Sequence, residues 1–382
     1  MNQQYFLPLM WLTLAGLITG LIMVNSHIQL AGNRLNPETQ EALNKHLHRF
    51  AWMRHLVWIF VLLLFALGVL ATYTHQEKRN QALLEKRQAV WPVFNPATLW
   101  IAPNAYLAET DAEAELIAYG RDLIVHTQDY FGKDGLLHSG AINELNCQSC
   151  HLDAGSKPFG NNYFAVQSTY PQMRARSGTL ETVSKRINDC FQRSLNGQAL
   201  DSTSREMNAM KAYIRWLGTG IPQGVKPKGV GLVEVPFLER AASPEIGRGV
   251  FMAKCASCHG ADGQGLPIPP DGARKYPPLW GEGSYNEAAG LFRLSRFAGY
   301  VKANMPLGAS FESPQLSDEE AWDLAAFVNS QPRPKHPFLG ADWPDISKKP
   351  FDHPFGPYRD SFPEAQHKFG PFKPIVDFNK KK

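Results

Sequence analysis

The residues of this chain best suited to chemistry are its cysteines, and four of the five fall into two copies of one pattern. These are Cys147-Gln148-Ser149-Cys150-His151 and Cys255-Ala256-Ser257-Cys258-His259. An odd cysteine count argues against a plain disulfide framework. In C-x-x-C-H the two thiols can add to the vinyl groups of a haem while the adjacent imidazole takes the iron. The spacing matters because one short turn must span two vinyls and still aim the ring. Two copies predict two covalently attached c-type haems, one on Cys147, Cys150 and His151, the other on Cys255, Cys258 and His259. Each iron has a further axial position. In Asn304-Met305-Pro306-Leu307-Gly308, a turn that makes a poor core position, Met305 is the expected thioether ligand of the second iron, favouring its ferrous state. The fifth cysteine, Cys190, lies at about the interval after His151 that Met305 keeps after His259. A thiolate on ferric iron would lower that haem's potential and could itself be the reactive sulfur. Met173, Met207 and Met210 are rival donors, and a buried inert thiol is the plain alternative for Cys190.

Two such sites need two small helical modules to hold them, and the chain contains an internal repeat. The first copy has a helical pattern over Glu115–Thr127 with Gly120-Arg121, then the haem motif, then a helix over Glu206–Leu217. The second has Pro244–Lys254 with Gly247-Arg248, its haem motif, and a helix over Asp318–Asn329. Capping boxes, Thr203-x-x-Glu206 and Ser317-x-x-Glu320, are expected to open the two late helices. Met207, Met210, Tyr213, Ile214 and Leu217 form an apolar stripe at helical spacing, as do Trp322, Ala325 and Val328; both are read as core. The Gly-, Pro- and Val-rich stretch Ile221–Ala242 lacks helical period and reads as a linker. After about Gln331 the chain turns to Pro, Phe, Lys and Asp, a composition expected to wrap over the modules or fray rather than form a core.

The fold class expected is mainly α: two class-I cytochrome c-like domains in tandem, preceded by a two-helix transmembrane anchor. Its divisions are an anchor over 1–75, a linker over 76–104, a first domain over 105–220, a linker over 221–243, a second domain over 244–332 and a tail over 333–382. Phe6–Val24 and Leu56–Tyr73 are the two apolar runs. No basic residue precedes Phe6 and no small-x-small site follows the run, so a signal anchor fits better than a cleaved leader. A mean hydropathy of −0.29 excludes a polytopic membrane protein but permits one or two spans. Arg34, Lys45, Arg49 and Arg54 between the runs place that loop in the cytoplasm. Haem attachment on the outer face of a bacterial inner membrane agrees, putting the haem domains in the periplasm. A net charge of +4 on 382 residues is too small for a nucleic-acid binder with a dense basic face.

The motifs and their surroundings resemble the thiosulfate dehydrogenase family of dihaem cytochromes c, which interconvert thiosulfate and tetrathionate. The resemblance covers about Ala105 to Pro334. It rests on Asn146 to Lys157, Gly160-Asn161-Asn162, Tyr170-Pro171 through Arg176-Ser177-Gly178, and Arg186 to Gly197. The second copy adds Tyr276 to Gly281, Gly283-Ser284-Tyr285-Asn286, and Ala303 to Gly308. It implies an active-site haem between His151 and Cys190, with Arg176 and Arg186 holding the anionic substrate, and an electron-exit haem between His259 and Met305. Some relatives carry a lysine beside the distal methionine, where this chain has Asn304, and the two-span anchor departs from the usual soluble form. The chemistry points the same way. Joining two thiosulfate dianions gathers four charges, which fixed guanidiniums can offset. Two one-electron haems also match the two electrons released per tetrathionate. The expected partners are thiosulfate and tetrathionate, a c-type cytochrome or oxidase as acceptor, and the lipid bilayer. The alternative is a dihaem electron carrier without substrate chemistry, linking a membrane quinol enzyme to a terminal acceptor.

Overall fold

The computed structural model describes Met23 and residues 36–90, 94–102, 108, 110–137, 142–268, 273–274, 276–337 and 339–381. The chain divides into two units, residues 1–82 and 83–382. A helix of 54 residues, Pro37–Val90, starts in the first. The Asn36 side chain caps it by accepting the Thr39 N–H at 3.2 Å. Within it the 25-residue stretch Trp58–Ala82, mean hydropathy 1.9, is long and apolar enough to cross a membrane. Phe60, Leu62 and Leu67 are exposed on this stretch. The expected first span, Phe6–Val24, lies outside the described residues apart from Met23, so the two-span hairpin is not seen. The helix also runs past Tyr73 to Val90, where a linker was expected from residue 76. Residues 76–90 are rich in Gln, Glu, Lys and Arg and hold no glycine or proline, so nothing in them stops a helix.

The second unit holds both modules, each an opening helix crossed by a closing one. Asp111–Val125 crosses Arg205–Leu217, and Pro244–Lys254 crosses Asp318–Ser330. The repeated glycines sit at these crossings. A Cβ on Gly120 would fall 2.0 Å from the Ala209 carbonyl oxygen, and one on Gly247 would fall 1.8 Å from that of Asp323. Only glycine lets the two backbones come so close. The opening helix of the first module begins at Asp111, earlier than the apolar period suggests, because Thr110 accepts the Glu113 N–H at 3.1 Å.

Both apolar stripes are core: Met207, Met210, Tyr213, Ile214 and Leu217 are buried, and so are Trp322, Ala325 and Val328. Ser317 and Glu320 form the expected capping box. Thr203 does not cap the other closing helix. Its N–H and hydroxyl are both taken by Asp201 Oδ1 at 2.8 Å, and the cap passes to Ser204, which accepts from Met207 at 3.1 Å.

The two connecting segments lack long elements but are docked. Ile221, Leu232, Val235 and Ala242 of the interdomain stretch are buried. Gly229 and Gly231 carbonyls accept the Phe159 and Asn161 N–H groups at 2.7 and 3.0 Å. The tail neither frays nor merely drapes. It forms short helices at Glu364–Phe369 and Lys373–Lys380 and buries Phe372 and Ile375 in the same apolar cluster that contains Leu123 and Trp322.

Candidate functional site

Each C-x-x-C-H motif folds into one tight turn. The His151 N–H bonds the Cys147 carbonyl at 3.0 Å and the His259 N–H bonds that of Cys255 at 3.0 Å; Cys255, Cys258 and His259 line one cleft, and Cys150 and His151 line another. The five cysteines are all free of disulfides. His259 Nδ1 meets the Pro277 carbonyl at 3.0 Å, and His151 Nδ1 meets that of Asn161. A ring held through Nδ1 to a carbonyl presents Nε2 as the donor atom, the orientation a metal-binding histidine needs. Burial pushes His151 down to about 4 and also lowers His259, so both imidazoles stay neutral at neutral pH, the ligating form. The donor sets therefore fit two covalently held haems.

The second motif lines an apolar cleft that Met305, Tyr276, Pro277 and Leu279 also line. The first motif opens on a cavity of different character. Cys150, His151 and Cys190 share it with Arg174, Arg176 and Arg186. Of the rival donors, Met173 is 66% exposed on the short strand Gln172–Arg174, and Met207 and Met210 are packed in the core. None of the three lines this cavity.

Cys190 and Arg186 stand on the helix Val183–Arg193, which Thr182 caps by accepting the Lys185 N–H. Four residues apart, they face the same way, and Arg186 Nη1 lies 3.3 Å from the Cys190 sulfur. That sulfur raises the Arg186 pKa, while burial opposes it. Arg176 comes from the hairpin Gln172–Arg174/Thr179–Glu181 and donates to the Ala288 carbonyl at 3.1 Å. Burial, then the charge of Arg193, pulls Arg176 down to about 10. Lys185 pairs with Glu181 and Asp189 at 3.2 and 3.5 Å, away from this role.

The second module builds part of the first site. Asn286 donates its backbone and side-chain N–H groups to the Arg193 and Gln192 carbonyls at 3.1 and 2.9 Å, fixing the end of the Cys190 helix. Tyr300 donates its hydroxyl to the Ser149 carbonyl at 2.8 Å, inside the first haem motif. Asn304 donates to the Phe159 carbonyl at 3.0 Å. Cys150, Tyr285 and Leu291 line both cavities, so the two sites are neighbours with one shared wall. Sequence reasoning missed Arg174, Arg293 and Arg296, which also line the first cavity. The pair Arg293 and Arg296, three residues apart at the start of an apolar helix, was a readable signal of one face. Nothing in the sequence said that this face meets the other module.

Paired C-x-x-C-H turns with neutral, backbone-held histidines, each in a two-helix crossing, define a tandem dihaem c-type cytochrome. Residues 139–223 match the family described as SoxA/TsdA, cytochrome c domain, and residues 244–332 match Cytochrome c. A thiosulfate dehydrogenase of Allochromatium vinosum is 38% identical over 247 residues, covering 63% of this chain and 86% of that protein. One of Psychrobacter arcticus is 41% identical over 205 residues, covering 53% of this chain and 61% of the relative. The solved thiosulfate dehydrogenase (TsdBA) of Marichromatium purpuratum, in its as-isolated form, superposes with a TM-score of 0.57 at 31% identity. That match covers 63% of this chain and 51% of the solved one. The chain belongs to the thiosulfate dehydrogenase family, and it carries two c-type haems.

Proposed function

We propose that this chain is a membrane-anchored, periplasmic thiosulfate dehydrogenase that joins two thiosulfates into tetrathionate and hands the electrons to a c-type cytochrome or oxidase. One observation carries the reading: a free cysteine, a haem-motif histidine and an arginine cluster share one cavity. The arginines line this cavity and not the other, an asymmetry that favours substrate chemistry here over a plain electron carrier. In this reading Arg176 and Arg186 bind the sulfonate end of thiosulfate and offset its charge. Cys190 and His151, which line one cavity, would hold the haem iron there, and Cys190 is also the reacting group. Its thiolate forms an S–S bond to the outer sulfur of thiosulfate, leaving a cysteine-bound thiosulfonate and releasing two electrons. The sulfane sulfur of a second thiosulfate then attacks the adduct sulfur bonded to Cys190 Sγ, the Sγ–S bond breaks, tetrathionate departs, and the Cys190 thiolate is restored. When bound, the haems would supply two one-electron acceptors for the pair released. Met305 would complete the exit site opposite His259 and hold it at the higher potential. The anchor in this reading is a two-span hairpin with the loop near residues 32–55 in the cytoplasm, on the positive-inside bias of that loop. Thiosulfate added to the oxidised, air-free holoprotein should produce ferrous haem bands without any other reductant. A spectrum that stays ferric would overturn the assignment.

A further inference from the structure

The second module contributes two more guanidiniums to the Cys190 cavity. Arg293 lies just before the helix Leu294–Asn304 and Arg296 within its first turn, and both line the cavity with Cys190 and Arg186. Arg296 makes no side-chain hydrogen bond or ion pair to a described residue. Arg293 is gripped from the tail. Asp352, whose carboxylate is fully buried, accepts Arg293 Nε at 2.8 Å and Nη2 at 2.6 Å on one oxygen. Its other oxygen accepts the Ser295 N–H at 3.0 Å and the Ser295 hydroxyl. Both bonds leave from one edge of the guanidinium, so Nη1 has no protein acceptor among the described residues. The same tail segment steadies the opposite side, where the Trp343 N–H bonds the Arg176 carbonyl at 2.7 Å.

Tetrathionate carries a sulfonate at each end of a four-sulfur chain, too far apart for one guanidinium fork to grip both. Arg176 and Arg186 both come from the first module and can serve one end. We propose that Arg293, aimed by the buried Asp352, holds the sulfonate of the second thiosulfate and so the distal end of tetrathionate. Arg293 is then a substrate-binding residue and Asp352 a positioning residue. The proposal rests on reading this cavity as the thiosulfate site. Haem propionates offer the same oxyanion chemistry, and the test separates the two sources.

Arg293→Gln, Arg293→Lys and Asp352→Asn would be made in the full-length holoprotein. Each would be assayed for KM and kcat with thiosulfate and with tetrathionate, beside the spectrum and midpoint potential of the His151 haem. Arg293→Gln should raise KM for both anions about tenfold or more, the loss expected for a charge-assisted contact. Arg293→Lys, keeping charge but not the planar fork, should fall between. Asp352→Asn should raise KM in the same direction, with kcat falling less and the His151 haem potential unchanged. A wild-type KM in Arg293→Gln overturns the assignment. So does a shifted His151 haem potential at unchanged KM, which would give Arg293 to a propionate. An Asp352→Asn protein that melts early yet keeps the wild-type KM removes the positioning role. Wild-type protein that thiosulfate cannot reduce would instead overturn the reading of the cavity itself.

Discussion

A cysteine one helical turn from an arginine is an ordinary pair on a helix surface. Cys190 and Arg186 differ in facing a cavity that also holds a haem-motif histidine. A packed thiol and a reacting thiol respond differently to substitution. If Cys190 is the iron ligand and reacting sulfur as proposed, Cys190→Met puts a thioether at its place that cannot form the thiosulfonate adduct. The variant is expected to keep a six-coordinate haem, raise that haem's potential, and lose thiosulfate oxidation entirely. Redox titration and turnover measured on the same preparation decide it, and tetrathionate formation at the wild-type rate would return Cys190 to a structural role. At this scale the sequence was readable where chemistry fixes spacing. The two C-x-x-C-H turns had to lie where they do, and Cys190 stood out as the one cysteine outside them. The place of Arg293 at this cavity was not readable, because its partner Asp352 lies far along the chain and no local pattern links them.

Among the elements, the two glycines at the helix crossings set how closely each opening and closing helix can pack. The repeated Gly-Arg was visible in the sequence as an echo between copies, but its cause is a backbone approach that only the fold reveals. Gly247→Ala must push the Asp323 backbone away, and overpacking of this kind costs about 1–3 kcal/mol. A thermal melt of the holoprotein should show the loss, concentrated in the module that carries His259. An unchanged melting temperature would mean that the crossing relaxes at no cost. The closing helices were legible because their apolar stripes repeat at helical period. The cap at Ser204 was not, because Asp201 diverts Thr203 into a turn that a capping-box pattern ignores.

For the whole molecule, the open questions are orientation and continuity. The helix Pro37–Val90 passes through the membrane-length stretch Trp58–Ala82 and continues as a polar helix. Alkaline phosphatase fused after Val90 should be active, and fused at Asn36 inactive, if the haem modules face the periplasm. The reverse pattern would sink the proposed topology. The apolar runs were plain in the sequence; where the helix would end was not, since helix-forming polar residues follow with no breaker. The docked tail was the least legible part. Its prolines and lysines suggest a loose strap, yet Asp342 and Asp352 reach Arg193 and Arg293 at 2.6 Å.

Those two carboxylates impose an order on biogenesis. A chain threaded across a membrane from its N-terminal side delivers both C-x-x-C-H motifs before it delivers residues 342–352. Until that segment is in place, Arg193 and Arg293 lack these two carboxylate partners. A nascent protein stalled at Gln331 would hold both attachment motifs and Cys190 but not the segment that fixes the arginines around them.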